Sequence, residues 1–230
     1  KVQEALCIKD LEKAYTGAFL PRGANYVDPS ALWFAETYLA LKAAIIQQQV
    51  SRAIWLGDTN SGDVNLNKFD GLNKIINSAI ADGVIQATPA GNITTSNVRT
   101  IIEAMYLLIP QAIQDEQDLY LLMGNDTLKT LRLKLGQDNL FNTTPDDVLG
   151  NVVVYPYTNL KCIGVKGLSG TNRMHIARFS NLYYGTDLLS DIDTLDFFYA
   201  REAMEFRYTS AFKLGTQIAK PEEIVTYKPS

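Results

Sequence analysis

Histidine is almost missing from this chain: His175 stands alone in 230 residues. A metal site built from several imidazoles is therefore excluded, and a catalytic triad would have one possible base. Cysteine is nearly as scarce. Cys7 and Cys162 are the only two. They make neither a disulfide framework nor a zinc site, and they read as reduced thiols of a protein made in a cytosol. A basic excess is also lacking: 21 basic residues face 25 acidic ones, for a net charge of −4. Composition alone therefore does not point to a nucleic-acid groove. No long uncharged apolar run exists either. The most apolar long segment, 31–54, carries Glu36, Lys42, Gln47, Gln48, Gln49 and Arg52, too polar for a membrane span of about 20 residues. The chain starts at Lys1 with no initiating methionine and no signal peptide, which reads as a processed, trimmed or partial product.

What is present suffices for a core. The chain is 47% hydrophobic and 20% charged, enough for one large domain or two small ones. Val2 to Tyr15 reads as a short amphipathic helix or the tail of a longer element. Asp28-Pro29-Ser30 supplies a cap and an early proline for a long helix over about 30–53. That helix is apolar around much of its girth and is expected to lie between layers. A polar loop follows over 58–70, then a short helix over 71–81. Residues 82–91 read as a strand pair or loop. A helix over 97–113 is expected to kink or end at Pro110. Asp118–Met123 reads as a continuously apolar strand, followed by a helix ending at Gly136. Asn151–Tyr155, Leu182–Tyr184 and Glu223–Tyr227 read as strands. Lys161–Val165 and Arg173–Phe179 read as a hairpin around Gly167-Leu168-Ser169-Gly170. The class is α+β, helices early and strands late.

The run FFYAREAMEFRYTSAFKL, Phe197 to Leu214, alternates with a period of two. Phe198, Ala200, Met204, Phe206, Tyr208, Phe212 and Leu214 share one parity. Arg201, Glu205, Arg207 and Lys213 share the other. Taken as one strand it has a buried face and a charged face. Glu202 breaks the pattern, and Ser210 weakens it. At roughly 3.3 Å per residue it would span about 50–60 Å, far beyond an ordinary strand. Such a span suits a protein that tiles a surface.

Candidate chemistry is thin. Asp58-x-Asn60-x-Gly62-Asp63 approximates a calcium loop, but the glycine and aspartate stand one place off and Phe69 occupies the twelfth position. A solvated turn is the plainer reading. His175 lies in a strand with no nucleophile motif nearby, as a structural histidine would. Gly164, Gly167 and Gly170 precede a strand rather than a helix, so no helix amino-terminus is offered to a phosphate. Asp187, Asp191, Asp193 and Asp196 are paired carboxylates suited to acid–base work or, more plainly, a surface turn. Asn92 and Asn142 fit the glycosylation acceptor pattern, which carries little without a secretory signal. No catalytic, cofactor-binding or metal residue is assigned. Arg201, Glu205, Arg207 and Lys213 are the candidate inter-subunit surface.

Several segments together resemble the major capsid proteins of tailed phages, the Hong Kong 97-type fold. Gly17-Ala18-Phe19-Leu20-Pro21 precedes the long helix, which would match the family's spine helix. Ile54-Trp55-Leu56-Gly57-Asp58 with Phe69-Asp70-Gly71-Leu72 is similar to the segment after it. Tyr183-Tyr184-Gly185-Thr186-Asp187 resembles the passage into the late peripheral sheet. Phe212 to Val225, with its Lys220-Pro221-Glu222-Glu223, is similar to the family's closing strands. The resemblance implies a long spine helix, a long-stranded peripheral sheet and an inserted axial α/β domain. It maps 1–92 and 182–230 to the peripheral domain and 93–181 to the axial domain. Only 29 residues precede Ser30, which implies a core fragment lacking the amino-terminal arm and extended loop. The implied function is a structural head protein of a bacteriophage or prophage. It would self-assemble as pentamers and hexamers, with other head proteins, into an icosahedral shell around double-stranded DNA held non-specifically. It would use no cofactor, contact no membrane, be made in the bacterial host cytoplasm and reside in the virion capsid. The alternatives are an encapsulin-type nanocompartment shell, a small hydrolase using the acidic loop 187–196, and a surface adhesin module.

Overall fold

The computed structural model describes residues 2–7, 33–138, 152–186, 196–203, 205–210 and 213–229. The chain divides into two compact units: Lys1–Gln47 with Gly185–Leu214, and Gln48–Tyr184 with Gly215–Ser230. The long helix α1 (Trp33–Leu56) has the expected 24 residues, about 36 Å at 1.5 Å per residue. It contributes to both units.

The second unit is built on a six-stranded sheet of order β2-β11-β6-β3-β5-β4. Its strands are β2 (Ala87–Ala90), β3 (Leu119–Gly124), β4 (Val152–Val154), β5 (Lys161–Val165), β6 (Met174–Arg178) and β11 (Val225–Pro229). The central strand β3 runs parallel to β5 and antiparallel to β6. A parallel neighbour needs a long crossover, and here the crossover contains helix α4 (Asn125–Gln137).

Both faces of this sheet are covered, which is why β3 is apolar throughout rather than alternating. On one face Leu121, Met123, Cys162, Ile176 and Tyr227 pack with α4 and with α3 (Val98–Leu107), through Leu131, Ile102 and Met105. On the other, Leu122 and Ala177 pack with Trp55 of α1 and with Leu72 and Ile76 of α2 (Leu72–Ala81). The apolar spacing of α2, one residue per turn, fits a helix lying flat on a sheet. α3 stops at Leu107, and Pro110 starts a separate turn over Gln111–Ile113, because proline cannot donate within the helix.

Two glycines let α1 and α2 meet. A Cβ on Gly57 would stand 2.6 Å from the Ala53 carbonyl oxygen, and one on Gly71 would stand 2.6 Å from the Gly57 nitrogen. The Gly71 N–H instead donates to Gly57 O at 2.8 Å. A buried Asn181 clamps the closing segment: its Nδ2 donates to Lys220 O and its Oδ1 accepts from Lys220 N, both at 2.7 Å.

The first unit carries a three-stranded sheet of order β1-β9-β8. The strands are β1 (Val2–Cys7), β8 (Asp196–Ala200) and β9 (Glu205–Ser210), all antiparallel. Two further strands, β7 (Leu182–Thr186) and β10 (Leu214–Ile218), pair as a two-stranded sheet.

Four expectations are corrected. The run 197–214 is not one long strand. It folds back at Arg201–Ala203, where the Ala203 N–H donates to Ala200 O at 3.3 Å, and gives β8, β9 and the start of β10. Residues 2–7 are a strand and not helix, because β9 offers them a six-residue ladder. β5 and β6 are not a hairpin, since β3 lies between them. Residues 82–91 give the single strand β2, paired in parallel with β11. The long helix is also less enclosed than its composition suggests. Ala53 and Trp55 are buried, whereas Leu41 and Ile45 are exposed.

Candidate inter-subunit surface

The hairpin register decides what the candidate residues can do together. β8 pairs with β9 through Phe197↔Tyr208, Phe198↔Arg207, Tyr199↔Phe206 and Ala200↔Glu205. Directly opposed residues lie on the same side of a sheet. Phe198 and Ala200 therefore share a face with Glu205, Arg207 and Thr209. The single-parity face of the sequence is thus split by the turn, and Phe198 changes sides.

Glu205 and Arg207 are the two candidates brought together. Arg207 donates from Nε at 2.7 Å and from its terminal nitrogen at 2.5 Å, both to Glu205 Oε1. The pair is half-buried, and a pair of this kind contributes at most about 1 kcal/mol. Arg201 stands apart on the exposed turn with Glu202 and Ala203. Lys213 is exposed and lies between β9 and β10, where it also makes an electrostatic or hydrogen-bond interaction. Phe198 is the residue the sequence missed. It is 46% exposed on the face of the Glu205–Arg207 pair, a placement visible only once the turn at Arg201–Ala203 is known.

The other polar groupings are structural ties. Lys74 of α2 reaches Asp58 Oδ1 and Asp70 Oδ1, each at 2.8 Å. Thr59 donates to Asp70 from its N–H at 2.9 Å and its hydroxyl at 2.8 Å. The ammonium, then these donors, hold the Asp70 carboxyl at about 2, below the usual range,. Lys74 thus engages both carboxylates that frame the calcium-like loop.

His175 of β6 is buried and makes two side-chain hydrogen bonds, with Asn73 of α2 and Thr226 of β11. Burial, and secondarily the Arg173 charge, push its pKa down to about 3, so it is a neutral ring at ordinary pH. Burial pushes the Cys162 thiol up to about 12. That thiol is protonated and inert.

The amino-terminus of α4 is closed by its own chain. The Asn125 N–H donates to Ser169 Oγ at 3.2 Å, and Asp126 Oδ2 accepts from Gly170 N–H at 3.0 Å. Of the acidic residues, Asp187, Asp191 and Asp193 lie outside the described residues, and Asp196 opens β8. Asn142 lies outside them too, while Asn92 accepts at 3.4 Å from Asn172. Among the described residues no three His, Cys, Asp or Glu side chains are grouped as metal ligands, and no helix is long and apolar enough to cross a membrane.

No family model and no curated protein matches the chain by sequence. Solved structures do match. A chain of the satellite phage P4 procapsid, in a structure that includes the size determination (Sid) protein, superposes with a TM-score of 0.58 at 14% identity, over 100% of this chain and 69% of that one. The fold is that of phage capsid proteins, the Hong Kong 97-type arrangement of mixed helices and strands. The cyanophage A-1(L) capsid asymmetric unit matches with a TM-score of 0.57 at 12% identity, over 99% of this chain and 76% of that one. The capsid of Myoviridae phage XM1 matches with a TM-score of 0.55 at 11% identity, over 100% of this chain and 72% of that one.

Proposed function

We propose that this chain is a structural head protein of a tailed phage or prophage. Many copies would assemble into a closed shell, the virion capsid, around double-stranded DNA. The observation that carries this reading is the superposition of the whole chain, not a piece of it, on phage capsid structures. In this reading the work is done by repeated heterologous contacts closed by symmetry, not by chemistry. The net charge of −4 suits a wall that encloses DNA without gripping it,. Other head proteins would join the same shell.

α1 takes the part of the spine helix in this proposal. Residues 93–181, all within the second unit, take the part of the axial domain, and 1–92 and 182–230 that of the peripheral domain. The exposed turn at Arg201, the Glu205–Arg207 pair and Lys213 are proposed as contacts to a neighbouring copy.

Negative-stain microscopy of the full-length protein tests the reading. Icosahedral shells or capsomers are expected, and a persistently monomeric product would overturn it. Reversing charge at Arg201→Glu with Arg207→Glu tests the surface separately. Assembly should weaken while the fold persists, and unchanged assembly removes this surface from the proposal.

A further inference from the structure

His175 lies where the helical layer of α1 and α2 meets the six-stranded sheet. On β6 it is opposed by Leu122 of β3 and Thr226 of β11, and it is 1% exposed. Its Nε2 is 3.0 Å from Asn73 Oδ1 of α2, and its Nδ1 is 2.7 Å from Thr226 Oγ1. The ring stacks on Trp55 of α1, with centroids 5.8 Å apart and planes 11° from parallel. One imidazole therefore ties both helices of the layer to the sheet.

With the Asn73 amide oxygen facing the ring, Nε2 carries the proton and Nδ1 accepts from the Thr226 hydroxyl, while the Asn73 Nδ2 is buried without a hydrogen-bond partner. A second proton at Nδ1 would displace that hydroxyl hydrogen toward Met174 O, 3.5 Å away, at the limit of a hydrogen bond. Among the described residues, no carboxylate is hydrogen-bonded to the ring. α1 presents the Trp55 ring and an exposed Arg52. α2 presents Asn73, and its Lys74 is engaged with Asp58 and Asp70. β3 presents Leu122. On the β6 side, half-buried Arg173 donates to Asn77 at 3.1 Å, and Arg178 is paired with Glu223. On β11, alternation puts the cation Lys228 on the side of Thr226. The charge that acts on the ring is a cation, Arg173.

We propose that His175 is an acid-operated release: protonation of its ring uncouples α2 and the end of α1 from the sheet. The depressed pKa of about 3, against an ordinary value of about 6.5, sets the window and the sign. A released, solvated ring takes the proton first. The closed state is therefore fully favoured above about pH 6.5 and loses about tenfold per pH unit below that, until about pH 3. His175 is the single histidine, and carboxylates of an opened chain titrate near about 4. Between about pH 6 and 5 the linkage thus belongs to this ring alone.

Hydrogen exchange of the full-length wild type and His175→Gln, between pH 7 and 5, tests this. After correction for intrinsic exchange, opening of the α2 amides in the wild type should rise about tenfold from pH 6 to 5. It should change less than about twofold in His175→Gln, and the α4 amides on the opposite face should lag in both. Equal pH dependence in the two proteins, or equal acceleration of α2 and α4, overturns the release. Should His175→Gln not fold, NMR titration of the one histidine ring in the wild type decides. The folded ring is expected to stay neutral to pH 4.5, and protonation near pH 6.5 with α2 still protected overturns the proposal.

Discussion

The six-stranded sheet of the second unit and the three-stranded sheet of the first draw on the same kinds of residue and use them differently. In the second unit a layer of helices lies on each face, and Leu121, Met123 and Ile176 are wholly enclosed. In the first, none of the described side chains of β8, β9 and their turn is buried. The second sheet is held by packing, which is lost in large steps when a side chain is cut. The first sheet shows, among the described residues, its ladders and one half-buried ion pair, Glu205–Arg207. Among the described side chains, the second sheet supplies a core and the β8–β9 hairpin of the first supplies none.

Truncation in the core tests this contrast most severely. Leu121→Ala should cost about 2–5 kcal/mol in denaturant unfolding, whereas Phe198→Ala, at 46% exposure, should cost under about 1 kcal/mol. Comparable costs would break the comparison. Next comes Gly57→Ala. The new methyl would meet the Ala53 carbonyl at 2.6 Å, so a loss of about 1–3 kcal/mol is expected, read as a lower unfolding midpoint. A neutral result would mean that the α1–α2 crossing yields easily.

Two arginines sharpen the contrast with like chemistry. Arg178 donates to Glu223 Oε2 at 2.7 and 3.0 Å, with side chains 20% and 13% exposed. Arg178→Ala should lower the unfolding midpoint more than Arg207→Ala, because it removes both short bonds to Glu223 Oε2 and leaves that carboxylate only the Lys220 ammonium, 3.3 Å from Oε1. Arg207→Ala should stay within about 0.5 kcal/mol. A reversed order would show that the first unit's pair is the stronger tie.

The smallest effect concerns acid. Asp70 has a lowered carboxyl pKa, so Lys74 stabilises the fold most above the unfolded carboxylate range of about 4, and this is lost as pH falls toward about 2,. In Lys74→Met the Asp70 carboxyl should titrate closer to its usual value, as seen by NMR. An unmoved titration would assign the shift to the Thr59 donors instead.

The sequence carried the second unit well because its signals were redundant. β3 is apolar throughout, the periodicity of 71–81 matches α2, and Pro110 marks the stop after α3. What failed was pairing. Lys161–Val165 and Arg173–Phe179 are neighbours in sequence with a glycine turn between them, yet β3 separates them, and only the sheet order reveals that. The run from Phe197 failed for another reason. Alternation has the same period on both arms of a hairpin, so a turn need not interrupt it. Phe197, Phe198 and Tyr199 are aromatic on both parities, so β8 names no buried side. Glu202, the one break in the pattern, was the trace of the turn. Val2–Cys7 is strand through its ladder to β9, a long-range partner that overrides local preference. The geometry of the candidate residues was consequently not legible in the sequence.

The position of β11 in the sheet has a further consequence for biogenesis. It lies between β2 and β6, and β2 has no other partner among the described strands. Yet it follows β8 and β9 in the chain. A ribosome emits residues in order, at about 5–20 per second. The sheet of the second unit can therefore zip shut only after the whole first-unit hairpin has left the ribosome. Until then β6 presents an open ladder to whatever is nearby, including other nascent copies. Translation itself thus delays completion of the second unit and sets the interval in which a nascent chain is vulnerable to mispairing.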